Sequence, residues 1–131
     1  NELDKAVERL QRVAQSAPDE YTRPVAKLRL ARVQAAQGRY DEALATLGEA
    51  NMGLHEPARL EVRGDILYGK GDRAGALEAY QAARQALPAV EAEQGGVAEL
   101  LDLKIADLSG PPLAQPAAPA ASTDSEAPAA P

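Results

Sequence analysis

The sequence predicts an all-α chain: a stack of short helices, closed by a capping helix and followed by a disordered Pro/Ala-rich tail. Three observations point there. The 131 residues contain four Tyr and no Phe, Trp or Cys, so the core must be built from Leu, Val, Ile and Ala. That composition suits close helix–helix packing better than a sandwich or barrel, whose strands favour β-branched and aromatic residues. Apolar residues then recur at helical spacing, interrupted by Gly and Pro. Finally, a set of small residues repeats at an offset of 33.

Asn1 to Ala17 places Leu3, Val7, Leu10 and Val13 on one stripe, and Pro18 stops it. Pro24 suits the first turn of a second helix, which has no partner for that amide anyway. This helix runs to about Gln37, with Val25, Leu28 and Val33 apolar, Ala31 and Ala35 small, and Gly38 as its end. Asp41 reads as the cap of a third helix with Leu44 and Leu47 inward, ending near Gly53. A fourth spans about Pro57 to Lys70 and ends at Gly71-Asp72; a fifth spans Ala74 to Leu87 and stops at Pro88. Beyond Pro88 a further helix is interrupted at Gly95-Gly96, after which Val97, Leu100, Leu101, Ile105 and Leu108 form a capping stripe. From Gly110 the segment GPPLAQPAAPAASTDSEAPAAP holds six of the ten prolines. It has too little large apolar surface to offset its ordering entropy and reads as disordered over 110–131.

The internal repeat organises these helices. Gly64, Leu67, Gly71, Ala76, Tyr80, Ala83 and Pro88 correspond at an offset of 33 to Ala31, Gln34, Gly38, Ala43, Leu47, Ala50 and His55. The segments GRYDEALATL and GDRAGALEAY agree across the turn. Subtracting 70 from Ala76, Tyr80, Ala83 and Pro88 gives Ala6, Leu10, Val13 and Pro18. A small residue in the first helix lets the second approach, another small residue meets it, and a large one fills the gap beneath. Gly permits the turn. Ala31, Gly38, Ala43, Gly64, Gly71, Ala76, Tyr80 and Ala83 are the expected packing positions.

This pattern resembles the tetratricopeptide repeat, a helix pair of about 34 residues stacked into a right-handed solenoid. The resemblance implies a half repeat at 1–18, repeats at 24–57 and 58–88, and a capping helix at 89–109. Leu60, Gly64, Ala76, Tyr80, Ala83 and Pro88 carry it, while Arg63 and Leu67 stand where Leu and Tyr are usual. Taken further, AKLRLARVQAAQGRYDEALATL, LEVRGDILYGKGDRAGALEAYQAA and the terminal LLDLKIADLSG are similar to the YfgM family. That resemblance implies a periplasmic domain behind a single N-terminal inner-membrane anchor that is absent from this chain. It also implies partners: the SecYEG translocon and a periplasmic prolyl-isomerase-type chaperone, with a role in handing over translocated proteins. The start at Asn1, partway through a repeat, is the expectation for a fragment or processed form.

Other chemistries fit poorly. Gly64 to Lys70 spells most of a phosphate-binding loop. Yet Gly71 stands where Ser or Thr should hold Mg²⁺, and the preceding LEVR continues a helix rather than a strand. His55 is the only histidine and there is no Cys, so no metal cluster, cofactor site or nucleophile–base set is assembled. The net charge of −6 argues against nucleic acid. It is also uneven, +3 over residues 1–39 and −7 over residues 40–109. This is either a pair of solvated helix faces or a bipolar surface that orients a partner.

Protein recognition remains, with no enzymatic role and no small-molecule substrate. First helices of successive pairs line the inner face of such a stack, which makes Arg29, Arg32, Glu61, Asp65 and Tyr68 the candidate contacts. Arg32 and Asp65 stand 33 apart and should be neighbours, either as an internal ion pair or as a polar groove for an extended peptide. A cytosolic co-chaperone that clamps an acidic tail needs Lys and Asn in the groove, where Glu61 and Asp65 would repel a carboxylate. Plain scaffolding through an exposed end of the stack is the other reading.

Overall fold

The computed structural model describes residues 1–111, and the expected disorder of the tail falls on residues outside that range apart from Gly110 and Pro111. The described residues form α1 (Glu2–Ser16), α2 (Thr22–Ala36), α3 (Tyr40–Leu47), a 3₁₀ turn (Gly53–His55), α4 (Glu56–Lys70), α5 (Arg73–Ala86), α6 (Ala89–Gln94) and α7 (Gly96–Ser109), with no strand among them. Each helix packs on its successor from α1 to α5, α2 also packs on α4, and α7 closes the stack against α5. This is the stack of paired helices that the internal repeat predicts.

Local chemistry sets the boundaries. The Asn1 side chain accepts the Leu3 amide at 2.8 Å and opens α1. The Asp19 carboxylate accepts the Tyr21 and Thr22 amides ahead of α2, which holds its pKa below the ordinary value. α2 and α4 end identically. Gly38 and Gly71 take φ of 75° and 93°. The amides of Arg39 and Asp72 reach the carbonyls of Gln34 and Leu67, both at 2.9 Å, while Gly38 and Gly71 bond Ala35 and Tyr68. Left-handed glycines closing these paired bonds form a Schellman end. Asp72 then caps α5 by accepting the Gly75 amide at 2.9 Å. The amides of the phosphate-loop lookalike are therefore consumed within α4 and its terminus.

Two expectations need correction around α3. The helix ends at Leu47, well short of Gly53, because Gly48 leaves it at φ 70° and ψ 178°. Asp41 is not its cap; it lies in the first turn and its carboxylate accepts from Lys70 Nζ at 2.7 Å. The loop that follows is held from below. Arg59, 6% exposed, donates to the Gly48 carbonyl at 2.9 Å and to both Glu56 carboxylate oxygens at 2.8 and 2.6 Å. Glu56 also accepts the Met52 amide at 2.8 Å.

The Arg59 hydrogen bonds hold the Glu56 carboxyl below the 4.5 of a free glutamate, burial opposing and the Met52 amide assisting. A folded-state pKa lowered in this way contributes stability in full above the unfolded value, and the contribution is lost as pH falls through the folded one. We expect the wild-type chain to lose stability more steeply than Glu56→Gln between about pH 5 and pH 3. Denaturation midpoints across that window check it; parallel curves would contradict it.

The core has two lobes. Leu28, Ala31, Ala43, Leu47, Val62 and Ile66 join α2, α3 and α4. Leu67, Ala76, Ala79, Tyr80, Ala83, Leu87, Ala98, Leu101 and Leu108 join α4, α5 and α7. Ala31, Ala43, Ala76 and Ala83 are fully buried. Their missing bulk is what lets helix axes approach. The apolar stripes divide more finely than their spacing predicts. On α1 only Val7 is buried, with Leu3 and Val13 exposed; on α7 Leu101 and Leu108 are buried, with Val97 and Leu100 exposed. Ala98, absent from the expected capping stripe, is buried instead.

Candidate functional site

The residues expected on the inner face come from α2 and α4. Arg29, Arg32, Asp65 and Tyr68 are exposed and Glu61 is half-buried. Tyr68, in the last turn of α4, keeps 54% of its surface in solvent.

The structure assembles α4's carboxylates around a residue not singled out as a contact. Lys104, from α7, donates to Glu61 Oε1 at 3.0 Å and to Asp65 Oδ1 at 2.9 Å. The Tyr80 hydroxyl, from α5, donates to the same Asp65 Oδ1 at 2.6 Å. The Lys104 ammonium also lies 5.2 Å from the centre of the Tyr80 ring, a cation–π distance. Three helices thus converge on Asp65. Arg32 does not: among the described residues Asp65 pairs only with Lys104, and Arg29 and Arg32 have no ion-pair partner. Of the two readings of Arg32 and Asp65, the internal ion pair is not formed; Asp65 pairs with a lysine of the capping helix instead. The reason is geometric. Lys104 is already half-buried between the two carboxylates, so one ammonium serves both, whereas Arg32 stays in solvent.

Environment shifts two of these groups. Burial raises the Tyr80 phenol above its ordinary range and the hydrogen bond to Asp65 raises it further, so it stays a neutral donor. For Lys104 burial acts to lower the pKa, but the bonds to Asp65 and Glu61 outweigh it and the net direction is up. The ammonium is fixed in its charged form.

Beside this cluster lies a hollow of ≈ 250 Å³ lined by Asp65, Tyr68, Tyr80, Lys104, Asp107 and Leu108. A larger one, ≈ 460 Å³, sits at the start of α2 against the loop after α3. One nitrogen of its Arg23 donates to the Ala17 carbonyl at 2.7 Å. Among the described residues no group of three or more His, Cys, Asp or Glu could hold a metal ion, and no helix is long and apolar enough to cross a membrane.

The packing positions read from the repeat lie at the helix contacts. Ala31, Ala43, Gly64, Ala76, Tyr80 and Ala83 are buried, and Gly38 and Gly71 form the turns. Gly64 is the tightest: a Cβ there would stand 2.4 Å from Tyr80 Cε1. Lys104 and Asp107 escaped the sequence reading as contacts. The only signal for them was the terminal segment LLDLKIADLSG, because α6 and the Gly95-Gly96 break shift α7 out of the repeat register.

Comparison with known proteins agrees with this architecture. The tetratricopeptide repeat-like domain family matches residues 1–110. The ancillary SecYEG translocon subunit of Escherichia coli (strain K12) is 35% identical over 111 residues, covering 83% of this chain and 50% of that protein. The chain thus spans about half the length of this curated relative. No solved structure matches this chain. With the match running from α1 through α7 over a solenoid of paired helices, the chain belongs to the tetratricopeptide repeat-like domain family.

Proposed function

We propose that this chain is a non-enzymatic protein-binding module accessory to the Sec translocon. It works at the periplasmic face of the bacterial inner membrane, where it assists handover of translocated proteins together with a prolyl-isomerase-type chaperone. The observation that carries this reading is the 35% identity to the ancillary SecYEG translocon subunit across most of the helical region. The physical features are those of an interaction surface. The polar inner face has an exposed aromatic in Tyr68, and aromatics of this kind anchor protein contacts. A clamp for an acidic tail is disfavoured, because Asp65 and Asp107 outnumber Lys104 around the hollow and Lys104 is already paired with Glu61 and Asp65.

In situ photo-crosslinking tests the proposal. With the full chain tethered to the inner membrane through a single span, a photoreactive residue on the inner face is expected to capture translocon subunits. A folded, tethered chain that captures neither a translocon subunit nor a periplasmic chaperone from any surface position would overturn it.

A further inference from the structure

Between α4 and α7 the surface has a definite polarity. Asp65 Oδ1 receives two donors, Tyr80 and Lys104, while among the described residues no hydrogen bond reaches Asp65 Oδ2 or the Asp107 carboxylate. Both carboxylates border the same hollow, and the half-exposed ring of Tyr68 forms part of its wall. Of the charged residues lining the hollow, Asp65 and Asp107 stand against Lys104 alone, a net charge of −1, while the Arg73 guanidinium donates to the Asp107 backbone carbonyl at 2.9 Å and forms no ion pair with its carboxylate among the described residues. Next to the hollow the same side of α7 turns apolar. Leu100, Lys104 and Asp107 follow at i, i+4 and i+7, and Leu103 precedes Asp107 by one turn, so they share a helix face. Leu100 is 46% exposed and Leu103 68%, which leaves two large aliphatic side chains in water beside a negative, aromatic-walled hollow.

From this juxtaposition we infer that the α4–α7 surface binds a protein segment in which an arginine or lysine is flanked by aliphatic residues. The inference rests on the protein-binding reading above and adds the chemistry of the partner. The partner's cation enters the hollow, meets Asp65 Oδ2 and Asp107, and lies against the Tyr68 ring, which attracts a cation through its face. Lys104 stays bound to Glu61 and Asp65 Oδ1 and serves as the floor. The flanking aliphatic side chain covers Leu100 and Leu103. An acidic segment is rejected by the rim, since like charges brought together at an interface are costly. A purely apolar segment covers the leucines but leaves the Asp107 carboxylate without a counter-charge.

The test uses the full 131-residue chain and a short acetylated, amidated peptide carrying Arg between Leu residues. A second peptide is identical except for citrulline, the neutral isostere, in place of Arg. NMR titration is expected to shift the amides of Asp65, Tyr68, Leu100 and Asp107 with the arginine peptide. Binding of the citrulline peptide, and of the arginine peptide to Asp107→Asn, should each be weaker by about threefold or more, the scale of an exposed charge pair. Tyr68→Ala should weaken arginine binding while its own spectrum remains that of a folded chain. Equal affinity for the two peptides, or shifts confined to other surfaces, would overturn the inference. The broader reading is separable. If Asp107→Asn and Tyr68→Ala still crosslink to translocon subunits as the wild type does, the cation site fails and the accessory role stands. If wild type crosslinks to nothing, the accessory role fails whatever the peptides do.

Discussion

Replacing Arg59 by alanine should destabilise the chain by about 3 kcal/mol or more, the scale for removing one partner of a buried ion pair. Arg59 is 6% exposed and its side chain satisfies three acceptor atoms, both Glu56 carboxylate oxygens and the Gly48 carbonyl. Its removal strands a carboxylate that is only 13% exposed and a loop carbonyl, and it unfastens the 48–52 loop from the start of α4. Denaturant titration measures the loss. Since domains of this size hold about 5–15 kcal/mol in total, the variant's midpoint should move far enough to be unmistakable. The double variant Arg59→Met with Glu56→Leu should recover much of the loss, because it removes the stranded charge along with its partner. A single-variant loss below about 1 kcal/mol would mean that the pair is solvated like a surface bridge.

Gly64→Val should cost about 3 kcal/mol, at a site where adding a side chain would ordinarily help. Glycine inside a helix is worse than alanine by about 0.5–1 kcal/mol, so an open site gains from substitution. Gly64 is not open. Its added Cβ would meet Tyr80 Cε1 and Cδ1 at 2.4 and 2.6 Å, and Tyr80 cannot swing away, since it is 4% exposed and its hydroxyl is bound to Asp65 at 2.6 Å. Valine therefore separates α4 from α5 and dislodges the Tyr80–Asp65–Lys104 cluster as well. Gly96→Ala supplies the opposite control, because a Cβ there meets nothing within 4 Å and the change should be neutral or slightly stabilising. Thermal melts of both variants check the contrast; a Gly64→Val melt matching wild type would refute the close contact.

The helix count and the turns were legible because their causes are local. Gly38 and Gly71 close their helices through bonds within a few residues, and Pro18 and Pro88 forbid continuation wherever the rest of the chain lies. The small residues at Ala31, Ala43, Gly64, Ala76 and Ala83 could be found from periodicity alone, since a repeat confines each contact to neighbours in the stack. Errors came where a local preference met a competing partner. Asp41 has a capping residue's chemistry, yet its carboxylate goes to Lys70, 29 positions on. α3 could have run on toward Gly53, yet the chain leaves the helix at Gly48, whose carbonyl Arg59 holds.

The cluster around Asp65 belongs to that second kind. Glu61, Asp65 and Tyr68 could be placed on α4 by spacing, but spacing within a repeat has no knowledge of a helix outside it. Lys104 lies 39 positions beyond Asp65, on a helix whose register was reset by α6 and the glycine pair. The fold class, the repeat and the residues that let helices touch could all be read from the amino-acid order, because each follows from backbone preference and side-chain volume over short distances. Which cation Asp65 takes, which α7 leucines stay in water, and the hollow between α4 and α7 emerge once the helices are packed. Those outcomes depend on where separate helices come to rest. That is set by close packing across the whole stack rather than by any one segment.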